Sequence, residues 1–592
     1  MPVPTTARGS DGKEAGHRAA ERSSLMDAVG RLADMRRGKT APYLLELDLT
    51  RPLLEERPAD PLGRLQWRRR AVLSGVLRAL KDAAVDPRVC GLVAKVGAQR
   101  MGFAQAQELR AAVAAFRASG KPAFAWCETF GEFAPATVPY YLACAFDYIW
   151  LQPSGQLGLM GLSAGSLFFA EAMDRAGVSR QFGARHEYKN AADIFLERSF
   201  SEPQREATGR VITSLFDQVV AGVSQSRRLG PDVVRSLVDR APLPAKEAQE
   251  ANLVDHLGYR DEVYAAALQK TNSGARLLYT QRYRRREPVP RHLERVLNRK
   301  RSVVALVTGT GSIRLGNSAH GPGPFMAMGS GTIGAAMRAA ASDERVKAVV
   351  FRVNSPGGSY VASDAIWREV GRVREAGKPV VVSMGDVAAS GGYFVSAPAD
   401  IIVAQPGTIT GSIGVLAGKM SFSELLNHLG VSHDAISQGR HARLMSALDE
   451  FSEEEFEQLS AWLDRVYDDF VAKVAEGRSM TVEAVHEVAK GRIWTGADAK
   501  EKGLVDQLGG LEMAASLARS RAGLADGAEV VRFPQVPLAS RWRSPRSSDD
   551  PAAVLTSLDG WGALTALAAR LGLPAAGPLT MWPAPFFSRD AI

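Results

Sequence analysis

Two stretches of this chain match one another without a gap. Residues 152–165 read QPSGQLGLMGLSAG and residues 405–418 read QPGTITGSIGVLAG, 253 positions further on. A segment repeated at that separation means one domain present twice, which narrows the folds open to the chain more than any other feature. Further pairs keep the two copies in step. GKPAFAW is answered by GKPVVVS, and LVDHLG at 253–258 by LVDQLG at 504–509. With 592 residues the chain has room for about two to four domains, each with its own core.

Within each copy, apolar runs alternate with amphipathic stretches. In the first, YLLELDL and GLVAKV read as strands, and AQAQELRAAVAAFRASG as a helix stopped by glycine. In the second, SVVALVTG, AVVFRVN, VVVSM and IIVAQ read as strands, with DAIWREVGRVREAGKP helical among them. That alternation predicts an α/β protein of tandem duplicated domains, with largely parallel sheets flanked by helices. The expected layout is a polar, disordered tail over 1–40, a first copy over 41–270 and a basic linker over 271–300. A second copy over 301–525 and a Pro/Ser-rich extension over 526–592 complete it. The extension closes on an apolar segment, GWGALTALAARLGLP followed by MWPAPFF, expected to pack on a partner subunit or domain, with a surface membrane contact as the alternative.

The net charge of +9 is concentrated rather than spread. Arg282, Arg284, Arg285, Arg286, Arg291, Arg295, Arg299, Lys300 and Arg301 crowd the junction between the copies. No aromatic ladder or recognition-helix pattern accompanies them, so no nucleic-acid partner is expected. A solvated linker face is the expectation, with contact to an anionic membrane surface as the alternative. Nine scattered histidines show no paired-ligand spacing, and Cys90, Cys127 and Cys144 no CxxC pattern. We expect no metal and no cofactor, and read the cysteines as small buried thiols in a reducing compartment. The first forty residues are polar and charged, without the apolar core of a signal peptide. The longest apolar stretch, 380–404, is interrupted by Asp386, a glycine pair, Pro398 and Asp400. A cytoplasmic protein is therefore expected, with a peripheral contact at the inner membrane as the variant of that expectation.

The copies diverge where chemistry would be done. Ser390 lies in DVAASGGYFVSA, and the same offset carries it back to Thr137 in APATVPYYLACA. Serine followed by two glycines, after a strand and before a helix, is close to a nucleophile-elbow arrangement. In the first copy Val138 and Pro139 replace the glycines, and proline has no N–H to offer. The N–H of Gly391, at a helix start, is placed to meet a developing oxyanion. A second donor is expected from Gly358, in the turn Arg352-Val-Asn-Ser-Pro-Gly-Gly-Ser359, where the first copy has Lys95-Val-Gly-Ala-Gln-Arg-Met-Gly102.

A serine needs a base, and the second copy offers no histidine or carboxylate at an obvious spacing. The first reads RHEYKNAA over 185–192 where the second reads RHARLMSA over 440–447. Lys189 thus meets Ala442, or Arg443 and Leu444, according to the alignment. Arginine stays protonated, whereas a buried lysine can lose its proton. A Ser–Lys dyad divided between the copies accounts for this complementary loss. Ser412, which is Leu159 in the first copy, is expected to orient the lysine. Glu187, two residues before Lys189, would hold it protonated if turned inward.

SPGGS, MGDVAASGGYF, TGSIGV and GRIWTGADAKEKGLVD resemble the long, two-domain form of signal peptide peptidase A, also called protease IV. The resemblance spans roughly residues 41–525 and is denser in the second half. It implies a fold similar to the Clp protease and crotonase superfamily. It also implies a serine endopeptidase that cleaves signal-peptide remnants and other short or unfolded apolar peptides. On that resemblance Ser390 is the nucleophile, Lys189 the general base, Ser412 its hydroxyl partner, and Gly358 with Gly391 the oxyanion donors. A homotetramer with enclosed sites is implied as well. Two other functions compete: an acyl-CoA hydratase or isomerase of the same fold, and a catalytically silent membrane-associated scaffold.

Overall fold

Runs of Val, Leu, Ile and Ala that are buried on both faces belong at the centre of parallel sheets. The computed structural model describes residues 42–56, 70–97, 101–132, 134–283, 301–319 and 326–534. The expected polar tail, most of the basic linker and the apolar C-terminal segment lie outside the described residues. In the first sheet the strands run His256–Leu257, Tyr148–Leu151, Ala123–Cys127, Val89–Val96, Tyr43–Leu49 and Arg276–Tyr279, every neighbour parallel. The second sheet repeats that order with Gln507–Leu508, Ile401–Ala404, Val380–Ala389, Val346–Ser355, Val303–Thr310 and Val530–Arg532. The duplication read from sequence is thus a duplicated topology, strand for strand.

Two details depart from the expected layout. Arg276–Tyr279 pairs with the first strand of its sheet although it lies past 270, and Val530–Arg532 does the same past 525. Each sheet is closed along that edge by residues assigned to the linker and to the extension. The second sheet also continues where the first stops. Val380–Ala389 takes a further parallel neighbour, Ile409–Gly411, which pairs antiparallel with Ile493–Thr495. Each copy packs its own apolar core beneath its sheet. Among the described residues no helix is long and apolar enough to cross a membrane.

A two-stranded ribbon joins the copies. Ser179–Ala184 of the first pairs antiparallel with Leu416–Ser421 of the second, Leu416 opposite Ala184. That register aims one copy at the other. Continued past Ala184, an antiparallel pairing brings the residues after it towards Ser412.

Candidate active site

Ser390 stands where the strand Val380–Ala389 gives way to the short helix Gly391–Phe394, as the residue capping that helix. Its backbone has φ 54° and ψ −119°, a conformation serine rarely adopts. Such strain persists where the surroundings hold it, here by the bond from the Ser390 N–H to the Gly411 carbonyl at 2.9 Å. Its side chain is buried but reaches Lys189 from the other copy. Lys189 Nζ lies 3.0 Å from Ser390 Oγ, 3.0 Å from Ser412 Oγ and 3.1 Å from the Ser412 carbonyl. The three residues that sequence comparison linked are therefore together, with 201 positions between lysine and serine.

The first copy departs from the strict offset by one residue. The bond from the Ser390 N–H to Gly411 is matched there by one from Ala136 to Gly158, at 2.8 Å. Thr137 instead opens the helix Thr137–Ala143, and its hydroxyl is given to the Gly161 carbonyl at 2.8 Å. The first copy therefore has no hydroxyl in the place of Ser390.

Lys189 is buried, and burial is the one cause of its shift: the ammonium falls from its ordinary 10.5 to about 7. Glu187 is exposed and contributes nothing to that shift, so it does not hold the lysine protonated. The turn that delivers Lys189 carries His186 at φ 64°. The His186 ring rests on Tyr467 of the second copy with centroids 4.5 Å apart, and the Tyr188 N–H donates to the Lys490 carbonyl at 3.2 Å.

The turn after Arg352 is shaped for close approach. Gly358 has φ 153°, and a Cβ there would lie 2.1 Å from the Ile313 carbonyl oxygen. Only glycine fits that position. The loop is pinned on either side by bonds from Ile313 N–H to Gly357 O at 2.8 Å and from Ser359 N–H to Ile313 O at 2.9 Å. Among the described residues no hydrogen bond engages the N–H of Gly358 or of Gly391. These amides sit close together, since a Cβ built on Gly391 would lie 3.2 Å from the Gly358 nitrogen.

One residue went unnoticed in the sequence. Gly491, in the GRIW run, has φ 84°, and a Cβ there would come within 2.5 Å of the Lys189 nitrogen. Its N–H donates to the Ile413 carbonyl at 2.7 Å. Glycine at 491 is what lets the lysine turn seat against the second copy. The resemblance of GRIW to a family motif was the one signal for it.

Taken as chemistry, a buried amine near its neutral form faces a serine hydroxyl, with two unengaged amides beside it. Such a set is able to take a proton from the hydroxyl and steady an anion formed next to it. The sequence has relatives with matching descriptions. A model of peptidase family S49 matches residues 115–273 and 372–525. "Protease 4" of Salmonella typhi is 33% identical over 469 residues, covering 76% of this chain and 72% of that protein. "Protease 4" of Haemophilus influenzae is 30% identical over 84% of this chain and 80% of its own length. "Serine protease SPPA, chloroplastic" of Arabidopsis thaliana is 31% identical over 75% of this chain, which spans 64% of that relative. The two matched regions fall on the two copies of the fold, and with relatives aligned along most of its length this chain belongs to peptidase family S49.

Proposed function

We propose that the protein is a serine endopeptidase in which Ser390 and Lys189 form a dyad shared between the two copies. The contact of Lys189 Nζ with Ser390 Oγ at 3.0 Å carries the reading, with the lowered lysine pKa beside it. Neutral Lys189 takes the proton of Ser390 as Oγ attacks the peptide carbonyl carbon. The new C–O bond pushes the carbonyl electrons onto oxygen, where the amides of Gly358 and Gly391 donate to it. Collapse breaks the C–N bond, and the leaving amine takes the proton from Lys189. Water then attacks the acyl-enzyme by the same route and frees Ser390. Ser412 holds the Lys189 ammonium in reach of both partners through its hydroxyl and its carbonyl.

The substrates are signal-peptide remnants and other short or unfolded apolar chains, because a serine this buried admits an extended strand more readily than a folded surface. Several copies assemble head to tail, and two unpaired edges support this. Residues 163–168 and 432–437 are the counterparts of the two ribbon strands, neither pairs as a strand here, and Leu167 and Ile436 are exposed on them. Each edge would pair with the other on a neighbouring copy, a heterologous contact that forms a ring where its rotation closes. Four copies is the number the resemblance implies.

A fluorophosphonate probe tests the proposal: it is expected to label the full chain at Ser390, in a species several chains in mass. Absence of labelling in folded protein would refute the serine assignment, and labelling of a monomer would refute the assembly. A second expectation concerns the lysine turn. Gly491→Ala is expected to cost about 1–3 kcal/mol of stability in chemical denaturation. It should also slow peptide hydrolysis at least about tenfold, by displacing Lys189. An unchanged rate would show that Lys189 is not held by that contact.

A further inference from the structure

Arg352 stands at the root of the glycine turn, six residues before Gly358, and is almost wholly buried. Its guanidinium is directed at the first copy. Nε and Nη2 donate to the two carboxylate oxygens of Glu55, each at 3.1 Å. Nη1 donates to Glu108 Oε1 at 2.7 Å, and Nη2 reaches Glu108 Oε2 at 3.4 Å. Nη1 also donates to Ser383 Oγ and the Met384 carbonyl, both at 3.0 Å, which ties the group to the neighbouring strand. Glu108 in turn accepts the N–H of Leu511 at 3.0 Å.

Asp386, four residues before Ser390 on that strand, reaches across in the opposite sense. Its carboxylate accepts the Gln105 N–H at 2.9 Å, in the first turn of the helix Phe103–Arg117. Gly102, the N-cap residue there, supplies no side chain of its own, so the second copy caps a helix of the first. Contact is tight, since a Cβ on Gly102 would overlap the Asp386 carboxylate.

One guanidinium and three carboxylates are expensive to bury, and apolar replacements of such groups are often equally stable or more so. Stability is therefore a poor account of their presence. Geometry is a better one, because a guanidinium held by two carboxylates fixes the depth and rotation of the strand that carries it. The first copy makes no such use of the matching place. Lys95 there lies over the Trp126 ring and pairs at the surface with Glu128. Burial also raises the Asp386 carboxyl to about 6 and raises that of Glu108, as expected where carboxylates outnumber the cation.

We infer that Glu55, Glu108, Arg352 and Asp386 are positioning residues, through which the first copy sets where the oxyanion turn and the Ser390 strand stand relative to Lys189. The inference rests on the Ser390–Lys189 mechanism. Its consequence is that the first copy contributes to catalysis twice, once by donating a base and once by aligning the groups that base serves.

The test is a full-length Glu55→Gln/Glu108→Gln/Arg352→Met variant, with Glu108→Gln alone beside it. Both are compared with wild type and Ser390→Ala in hydrolysis of a fluorogenic apolar peptide and in binding of a peptide aldehyde. The aldehyde forms an oxyanion on Ser390 and so reports alignment, whereas KM for the peptide reports mainly its binding. The triple variant is expected to lose roughly ten- to hundredfold in kcat and in aldehyde affinity. KM should stay within about twofold, with thermal stability kept or raised. Glu108→Gln is expected to show the same split at about three- to tenfold, and it decides the matter should the triple variant not fold. Folded variants with wild-type kcat and aldehyde affinity would overturn the inference and leave the dyad intact. A wild type no more active than Ser390→Ala would overturn the dyad, and the inference with it.

Discussion

Ser390→Ala is expected to abolish peptide hydrolysis, lowering kcat by more than about 10⁴-fold while the protein stays folded. In the proposed scheme the hydroxyl is the atom that forms the bond to the substrate. Ser412 Oγ also touches Lys189 Nζ, at 3.0 Å, and in the proposed scheme it is the partner that orients the lysine. Alanine loses one oxygen from a buried position and tolerates the same helix start. Circular dichroism and a thermal midpoint close to wild type would confirm that only chemistry was removed. Retained turnover in a folded variant would overturn the assignment of the nucleophile.

The second large effect is on pH dependence. Lys189 acts as a base only when neutral, so kcat/KM should rise with pH through about 7, where burial has brought its ammonium. Two pH units below that value roughly 1% of the lysine is neutral, so activity should be about 100-fold below its alkaline plateau. Lys189→Arg keeps the positive charge but cannot release the proton, and should be about 10²–10⁴-fold less active across the range. A rate that is flat from mildly acidic to alkaline pH would count against lysine as the base. So would an active arginine variant.

What the sequence disclosed about this site followed from how local each signal is. Ser390, Gly391 and Gly358 belong to short runs in which small residues and glycines mark tight turns, and the structure puts them side by side. Lys189 carries no local signal at all; it stood out because the second copy lacks a lysine where the first has one. Its low pKa comes from burial, which depends on the packing of both copies. Gly491 was silent for a similar reason, since its importance lies in a contact with Lys189, 302 positions away. The pairing of Arg352 with Glu55 and Glu108 spans 297 and 244 positions, and three charged residues scattered over that distance look like ordinary surface. Domain ends were misjudged where strands Arg276–Tyr279 and Val530–Arg532 return to their sheets after a helix, late enough to resemble linker.

The ribbon between Ser179–Ala184 and Leu416–Ser421 has a consequence for the order in which this protein becomes dangerous to its surroundings. During synthesis the first copy emerges complete while the second is still inside the ribosome, and domains generally fold as they emerge. At that stage the chain holds a lysine but no nucleophile. The serine arrives some 200 residues later, and it meets the lysine only when the ribbon zips and the two halves dock. On the proposed dyad, nascent chains that stop short of the second copy are inert. Completion of the polypeptide serves as the activation step.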